Sequence, residues 1–159
     1  DLLSLCMVYL HHRHIAELEQ ACSRCSDKME MLFVGFRAML SGEETHHRMM
    51  RNLQKFYPAI FERLRAEHAK DGMARLRAMI MALIDAGLIE KDVNVDLSVT
   101  IFYYTVTVVF GQRYNIVLPE GVTEKDALMY TMVNFFRGIA TVDGVRRIDA
   151  LKERYKSEL

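Results

Sequence analysis

The segment VDLSVTIFYYTVTVVFGQRY, residues 95–114, decides the fold class of this chain because it is compatible with two structures. Its many β-branched and aromatic residues favour a β-strand. It is nevertheless about twenty residues long and contains no internal turn signal, and the stretches around it repeat their apolar residues with helical spacing. Length and context therefore predict a helix here, and with it an all-α fold.

The rest of the chain divides into apolar-periodic stretches separated by Gly, Pro and capping residues. Asn94 or Asp92 is expected to cap the helix just described, Gly87 to end the helix before it, and Asp71-Gly72 to be a weak point that kinks that helix. Thr123 and Asp126 have capping-box spacing. The predicted helices cover residues 2–25, 28–40, 44–56, 58–86, 95–114, 123–141 and 145–156. We therefore predict one helical-bundle domain over residues 1–159, with six to seven helices.

The composition excludes several classes of protein. Lys plus Arg and Asp plus Glu both number 21, so the net charge is zero, which argues against direct binding to a nucleic-acid backbone. No apolar run approaches the roughly 20 residues of a membrane span, and the first residues do not resemble a signal peptide. Three cysteines indicate reduced thiols in a cytoplasmic protein.

The stretch LHHRHIAELEQACSRC, residues 10–25, has the spacing of a metal site, with His11 and His14 followed by Cys22 and Cys25. On a straight helix His11 and Cys22 lie about 16 Å apart, so one ion cannot bind all four residues. His11 and His14 could still supply two ligands, with His46, His47 or His68 completing the set. The four positions share one inward helix face, which predicts cysteines that pack as small apolar residues. The two histidines are either hydrogen-bonded core residues or polar groups in the wall of a cavity.

The helices at 95–114 and 123–141 are apolar on nearly every side, and a helix apolar all round must be covered all round. This predicts that a second subunit covers one face, so that the protein is a homodimer. The alternative is that these helices form the central core of a monomer. Neither a catalytic motif nor a phosphate-binding loop is present, so we predict that the chain is not an enzyme.

Three segments resemble the regulatory half of TetR-family (tetracycline-repressor-type) transcriptional regulators. YTMVNFFRGIATVDG, residues 130–144, is similar to the penultimate long helix of that family, with an aromatic pair, Arg-Gly and a later Gly. NLQKFYPAIFERL, residues 52–64, resembles the passage in which Tyr-Pro starts a long helix. DLLSL, residues 1–5, resembles the start of the helix that follows the DNA-binding part. The family's N-terminal helix-turn-helix domain has no counterpart, so we expect the chain to be a fragment of a longer regulator.

The resemblance implies a dimeric bacterial-type regulator that binds a small apolar or amphipathic effector in an internal cavity. Effector binding would change the spacing of DNA-reading domains outside this chain, and the helices at 95–114 and 123–141 would form a four-helix dimer interface. No cofactor, metal or membrane is expected. The candidate pocket residues are His11, His14, Leu18, Phe33, Phe36, Arg37, Met79, Leu83, Phe102 and Tyr103. The candidate interface residues are Phe110, Tyr114, Met129, Met132, Val133 and Phe136.

Two other classes of protein are compatible with the same sequence. One is an all-α enzyme or metal-binding protein that uses the inward histidines. The other is a helical adaptor without a small-molecule cavity. A stoichiometric metal would favour the first, and an internal void of a few hundred Å3 would argue against the second.

Overall fold

The computed structural model describes residues 2–40, 51–110 and 117–155. These residues form seven helical segments, which confirms the predicted all-α class. The helices are α1 (Leu2–Cys22), α2 (Lys28–Leu40), α3 (residues 51–56), α4 (Pro58–Asp85), α5 (Val95–Phe110), α6 (Glu124–Ile139) and α7 (Val142–Arg154).

Helix α5 confirms the helical prediction for the strand-like segment. Asn94 caps it, since its side-chain oxygen accepts the backbone N–H of Leu97 at 3.0 Å. The hydroxyls of Thr100, Thr105 and Thr107 donate to carbonyls four residues earlier, at 2.7 to 2.8 Å. A β-branched threonine is a poor helix former partly because its hydroxyl competes for backbone groups, and here that hydroxyl is satisfied within the helix.

Gly87 ends α4 as predicted, in a Schellman motif. Its φ of 72° is left-handed. The N–H of Gly87 donates to the carbonyl of Ile84, and the N–H of Leu88 donates to the carbonyl of Leu83, both at 2.9 Å. This pair of bonds satisfies two carbonyls at the helix end and favours glycine at the left-handed position. The helix runs through Asp71-Gly72 without interruption, and the kink predicted there stays a prediction.

Helix α1 ends three residues earlier than predicted, at Cys22. The hydroxyl of Ser23 donates to the carbonyl of Gln20 at 2.7 Å, and the N–H of Cys25 donates to the carbonyl of Cys22 at 3.1 Å. These local bonds replace helical ones and turn the chain before α2 begins.

The junction between α6 and α7 also differs from the prediction. Helix α6 ends at Ile139, and α7 begins at Val142 rather than near residue 145. Thr141 is the N-cap of α7, and its hydroxyl accepts the N–H of Gly144 at 3.1 Å. Gly144 falls between the two predicted helices, but it lies in the first turn of α7, because the capping Thr141 begins that helix ahead of it.

The capping box predicted at the start of α6 is confirmed. The hydroxyl of Thr123 accepts the N–H of Asp126 at 3.1 Å, and the carboxylate of Asp126 accepts the N–H of Thr123 at 2.9 Å. The hydrogen bond from the Thr123 hydroxyl, followed by the one from its backbone N–H, lowers the pKa of the Asp126 carboxyl below its usual 3.8.

This lowered pKa predicts a pH-dependent contribution to stability. A depressed carboxyl pKa stabilises the folded state above the unfolded value of 3.8, and the stabilisation is lost as the pH falls through the lower folded pKa. We therefore expect Asp126→Ala to lower the melting temperature more at pH 7 than at pH 3. Thermal unfolding by circular dichroism at the two pH values measures this, with Glu124→Ala as a control in the same turn. An equal loss at both pH values would contradict the prediction.

The chain forms two compact units, and the prediction of a single domain over residues 1–159 stays a prediction. Unit 1 comprises Asp1–Asp27 and Met31–Gly72, and unit 2 comprises Lys28–Glu30 and Met73–Leu159. In unit 1, the buried Leu53 and Leu64 pack with Ile60 and Phe61. The buried apolar residues of unit 2 come from several helices and the loop after α4, and include Ile80, Leu83, Ile89, Val99, Phe102, Leu128, Met132, Phe136, Ile148 and Leu151.

Within unit 2, the loop after α4 is bound to the α6–α7 junction by a short run of backbone hydrogen bonds. Glu90 donates to the carbonyl of Ile139 at 3.0 Å, and Thr141 donates to that of Leu88 at 3.1 Å. These bonds flank an antiparallel bridge between residues 89 and 140. The Thr141 hydroxyl adds a bond of 2.8 Å to the carbonyl of Gly87. The end of α4 is thus joined to the start of α7 by non-local contacts.

Candidate interaction surface

Helix α5 carries a stripe of exposed apolar side chains, which we call the α5 face. It consists of Leu97, Ile101 and Tyr104, which are 55%, 49% and 60% exposed. Their spacings of four and three residues place them within a narrow arc of the helix. The buried Val99 and Phe102 lie on the opposite side. The helix is therefore apolar on both the covered and the uncovered side.

No charged residue lies between Asp96 and Arg113 in the sequence. On an ordinary solvated helix surface, charged and polar residues cover the outer side. Two threonines flank the α5 face, Thr100 and Thr105. Their hydroxyls donate hydrogen bonds to backbone carbonyls of the same helix. Covering this face would therefore leave few unsatisfied polar groups, which keeps the desolvation cost low.

An aromatic cluster lies on the inner side of α5. The ring of Phe102 lies 4.8 Å from that of Phe135 and 5.3 Å from that of Phe136, between ring centroids. Phe135 and Phe136 are 5.4 Å apart and close to perpendicular. Tilted and edge-to-face pairs at these distances are favourable beyond their buried area. These ring contacts hold α5 against α6 on the side of α5 opposite to the α5 face.

The candidate interface residues of α6 are buried within unit 2 itself. Met132 and Phe136 are completely covered, and Met129 and Val133 are nearly so. The exposed apolar residue of α6 is Tyr130, at 74%. Phe110 and Tyr114 lie outside the residues whose side chains the structure describes. The exposed residues Leu97, Ile101, Tyr104 and Tyr130 are not among the candidate interface residues, because a helix that is apolar on nearly every side carries no signal of which side its own chain covers.

The candidate pocket residues are divided between the two units. In unit 1, Phe33 is buried, whereas Leu18, Phe36 and Arg37 are half-buried. In unit 2, Leu83 and Phe102 are buried, whereas Met79 and Tyr103 are half-buried, and the ring of Tyr103 contacts that of Tyr104. The side chains of His11 and His14 lie outside the described part of the chain. The predicted pocket stays a prediction.

His68 was one of the histidines that could complete a metal site. It is half-buried on α4, and burial lowers its pKa below 6.5, against the opposing effects of Asp71 and Glu67. Within the described residues, no three or more His, Cys, Asp or Glu side chains come together as a metal site requires. The side chains of His11, His14, His46 and His47 are not among those residues.

Glu30 is the one buried charged residue that the described part of the chain contains. Its carboxylate accepts hydrogen bonds from Arg154 at 2.6 Å and from the Tyr155 hydroxyl at 2.8 Å, and Arg147 lies 3.6 Å from its other oxygen. All four residues belong to unit 2. Two cations and a hydroxyl thus compensate the desolvation of one carboxylate. This cluster connects the first turn of α2 to the end of α7.

No family model, curated protein or solved structure matches the chain. In the described residues, no helix is both long enough and apolar enough to cross a membrane.

Proposed function

We propose that this chain is the dimerising, effector-binding part of a TetR-type transcriptional regulator of the bacterial cytoplasm. In this proposal, two copies associate through α5 and α6, and a small apolar or amphipathic molecule binds within each copy. DNA binding belongs to a separate helix-turn-helix domain, in keeping with the zero net charge of these 159 residues. The observation that carries the proposal is the α5 face, which is uncharged and exposed on a helix that the resemblance assigns to an interface.

The α5 face suits association with its own copy. In a two-fold symmetric dimer the same patch meets itself, so a charge near the symmetry axis would face a like charge. Leu97, Ile101 and Tyr104 carry none. Obligate dimer interfaces are more hydrophobic than other protein interfaces. An uncharged helix surface whose neighbouring threonine hydroxyls are already hydrogen-bonded is suited to such an interface.

The effector part of the proposal rests on the sequence resemblance and on the chemistry of the candidate pocket residues. Those of unit 2 are mostly apolar, and Tyr103 could provide a polar contact. A panel of amphipathic small molecules can be screened by thermal shift, because a ligand at 100 times its dissociation constant stabilises by about 2.7 kcal/mol. We expect a hit whose shift falls in Tyr103→Phe. A broad panel without any stabilising molecule would count against an effector-binding role.

We predict that Ile101→Glu converts the dimer to monomers. The substitution places two carboxylates in an apolar symmetric interface, where each would lose its hydration and face the other. The dimer dissociation constant should rise at least about 100-fold, equal to about 2.7 kcal/mol. Sedimentation velocity across a concentration series measures this.

The matched control is Val142→Glu, which adds the same charge at an exposed apolar position in the first turn of α7. A carboxylate is tolerated at a helix N-terminus, so this variant should associate like the wild type. Circular dichroism should show that both variants stay folded. A wild-type chain that is monomeric at micromolar concentration, or equal association of the two variants, would rule out dimerisation through the α5 face.

A further inference from the structure

Cys22 and Cys25 lie on the two sides of the turn that ends α1, both in unit 1. The N–H of Cys25 donates to the carbonyl of Cys22 at 3.1 Å, which closes a four-residue turn. The two ends of such a turn have Cα atoms less than about 7 Å apart. Disulfides connect residues whose Cα atoms are about 4.4–6.8 Å apart. The backbone therefore brings the two cysteines within the range of a disulfide bond.

Both cysteines are reduced thiols and both are half-buried, so small reagents can reach them. The Cys22 thiol donates to the carbonyl of Met31 at 3.6 Å, and the Cys25 thiol donates to that of Ala21 at 3.8 Å. Burial raises the pKa of the Cys22 thiol, which keeps its proton in place for this bond at neutral pH. The first bond connects the end of α1 to α2, and the second lies within the end of α1.

We propose that Cys22 and Cys25 form a reversible intrachain disulfide. Its formation removes the hydrogen bond that connects the end of α1 to α2. The oxidant is a low-molecular-weight disulfide. One cysteine thiolate attacks it, forms a mixed disulfide and releases one small thiol. The second cysteine then attacks the protein sulfur of that mixed disulfide and releases the other small thiol. The two cysteines lose two electrons and two protons in total, and the small disulfide gains both as two thiols.

Oxidation necessarily removes both S–H groups, and with them both hydrogen bonds. The Met31 carbonyl loses the donor that α1 supplies, and the Ala21 carbonyl loses the one from Cys25. The new bond instead constrains the four-residue turn. The redox state of the pair thus sets whether α1 is tied to α2 through Cys22. This inference goes beyond the proposed function and does not depend on it, since it needs neither an effector nor a dimer.

Arg24, between the two cysteines, makes the disulfide directly detectable. The folded protein is incubated with oxidised glutathione, alkylated, and digested with trypsin without reduction. Cleavage after Arg24 separates residues 14–24 from residues 25–28 unless a disulfide joins them. We expect one linked fragment, about 2 Da lighter than the sum of its two reduced parts, which reverts on reduction. Cys6, which is exposed and distant in sequence, should give only alkylated or glutathione-bound peptide.

Two single variants are the matched controls. In Cys22→Ser and Cys25→Ser the remaining cysteine should retain glutathione, because no second thiol displaces it. Serine can still donate a hydrogen bond, so both variants should stay folded. Glutathione that remains on the separate cysteines of the wild type, or a linked fragment that joins two chains, would overturn the proposal.

The structural consequence has its own readout in hydrogen–deuterium exchange. We expect oxidation to raise the exchange of amides in the turn and at the start of α2, residues 23–33, and to leave those of α7 unchanged. Cys22→Ser treated in the same way corrects for the addition of glutathione, because its serine keeps a hydrogen-bond donor at position 22. Equal exchange of residues 23–33 in the oxidised and reduced protein would show that the disulfide does not weaken the contact between α1 and α2. That result would overturn this part of the proposal.

Discussion

Replacing Gly144 with alanine will destabilise the protein by about 3 kcal/mol or more. A Cβ at this position would overlap the carbonyl oxygen of Leu88, and would lie 2.9 Å from the carbonyl carbon of Leu88 and 3.0 Å from the Cβ of Ala140. The carbonyl cannot simply move away, because it accepts the N–H of Thr141. The added methyl group must therefore separate α7 from the loop after α4, or distort both.

Two other glycines are the controls, because alanine at either meets no atom within 4 Å. Gly87→Ala should cost about 1 kcal/mol, since the left-handed backbone there is unfavourable for a residue with a Cβ. Gly138→Ala lies in α6 and should be neutral or stabilising by up to about 1 kcal/mol. Urea unfolding followed by circular dichroism gives all three values. A loss for Gly144→Ala no larger than that for Gly87→Ala would show that the contact with Leu88 is not restrictive.

Removing both arginines from Glu30 will cost about 3 kcal/mol or more. In the double variant Arg147→Met and Arg154→Met, the carboxylate keeps its buried position and the bond from Tyr155 but loses two ion pairs. A buried charge that loses its compensating partner is strongly destabilising. Methionine retains much of the apolar stem of arginine, so the loss reports mainly on charge.

Adding Glu30→Gln to this double variant should restore much of the lost stability. A glutamine has nearly the same shape and can still accept the Tyr155 hydroxyl, but it leaves no charge to be compensated. The free energies of unfolding of the wild type, the double variant, the triple variant and Glu30→Gln alone form a cycle that isolates the coupling between Glu30 and the arginines. A triple variant no more stable than the double variant would show that charge compensation at Glu30 contributes little.

Several features of the fold could be predicted from sequence because each depends on residues within a few positions of one another. The capping box of Thr123 and Asp126, the cap at Asn94 and the helix end at Gly87 are all local, and all were predicted correctly. The α6–α7 junction was not. Thr141 caps α7 locally, but its hydroxyl also donates to the carbonyl of Gly87, 54 residues away, at 2.8 Å. The pattern of apolar residues in either segment does not indicate that Thr141 and Gly87 are hydrogen-bonded to each other.

The candidate interaction surface, too, could be predicted only in part from the sequence. Sequence alone indicated that α5 and α6 are apolar on several sides, but not which side is covered. Met132 and Phe136 were expected at an interface, yet the fold buries them in unit 2, while Ile101 and Tyr104 are left exposed.

By itself, then, the sequence determined the helical class, the approximate helix positions and several of the caps, because hydrogen bonds and spacing along one helix are set by neighbouring residues. The tertiary structure alone decided the partners of Glu30, the space at Gly144 and the exposed side of α5. These depend on which distant segment packs against each residue, and an apolar side chain has the same appearance in a sequence whether its own chain covers it or leaves it exposed.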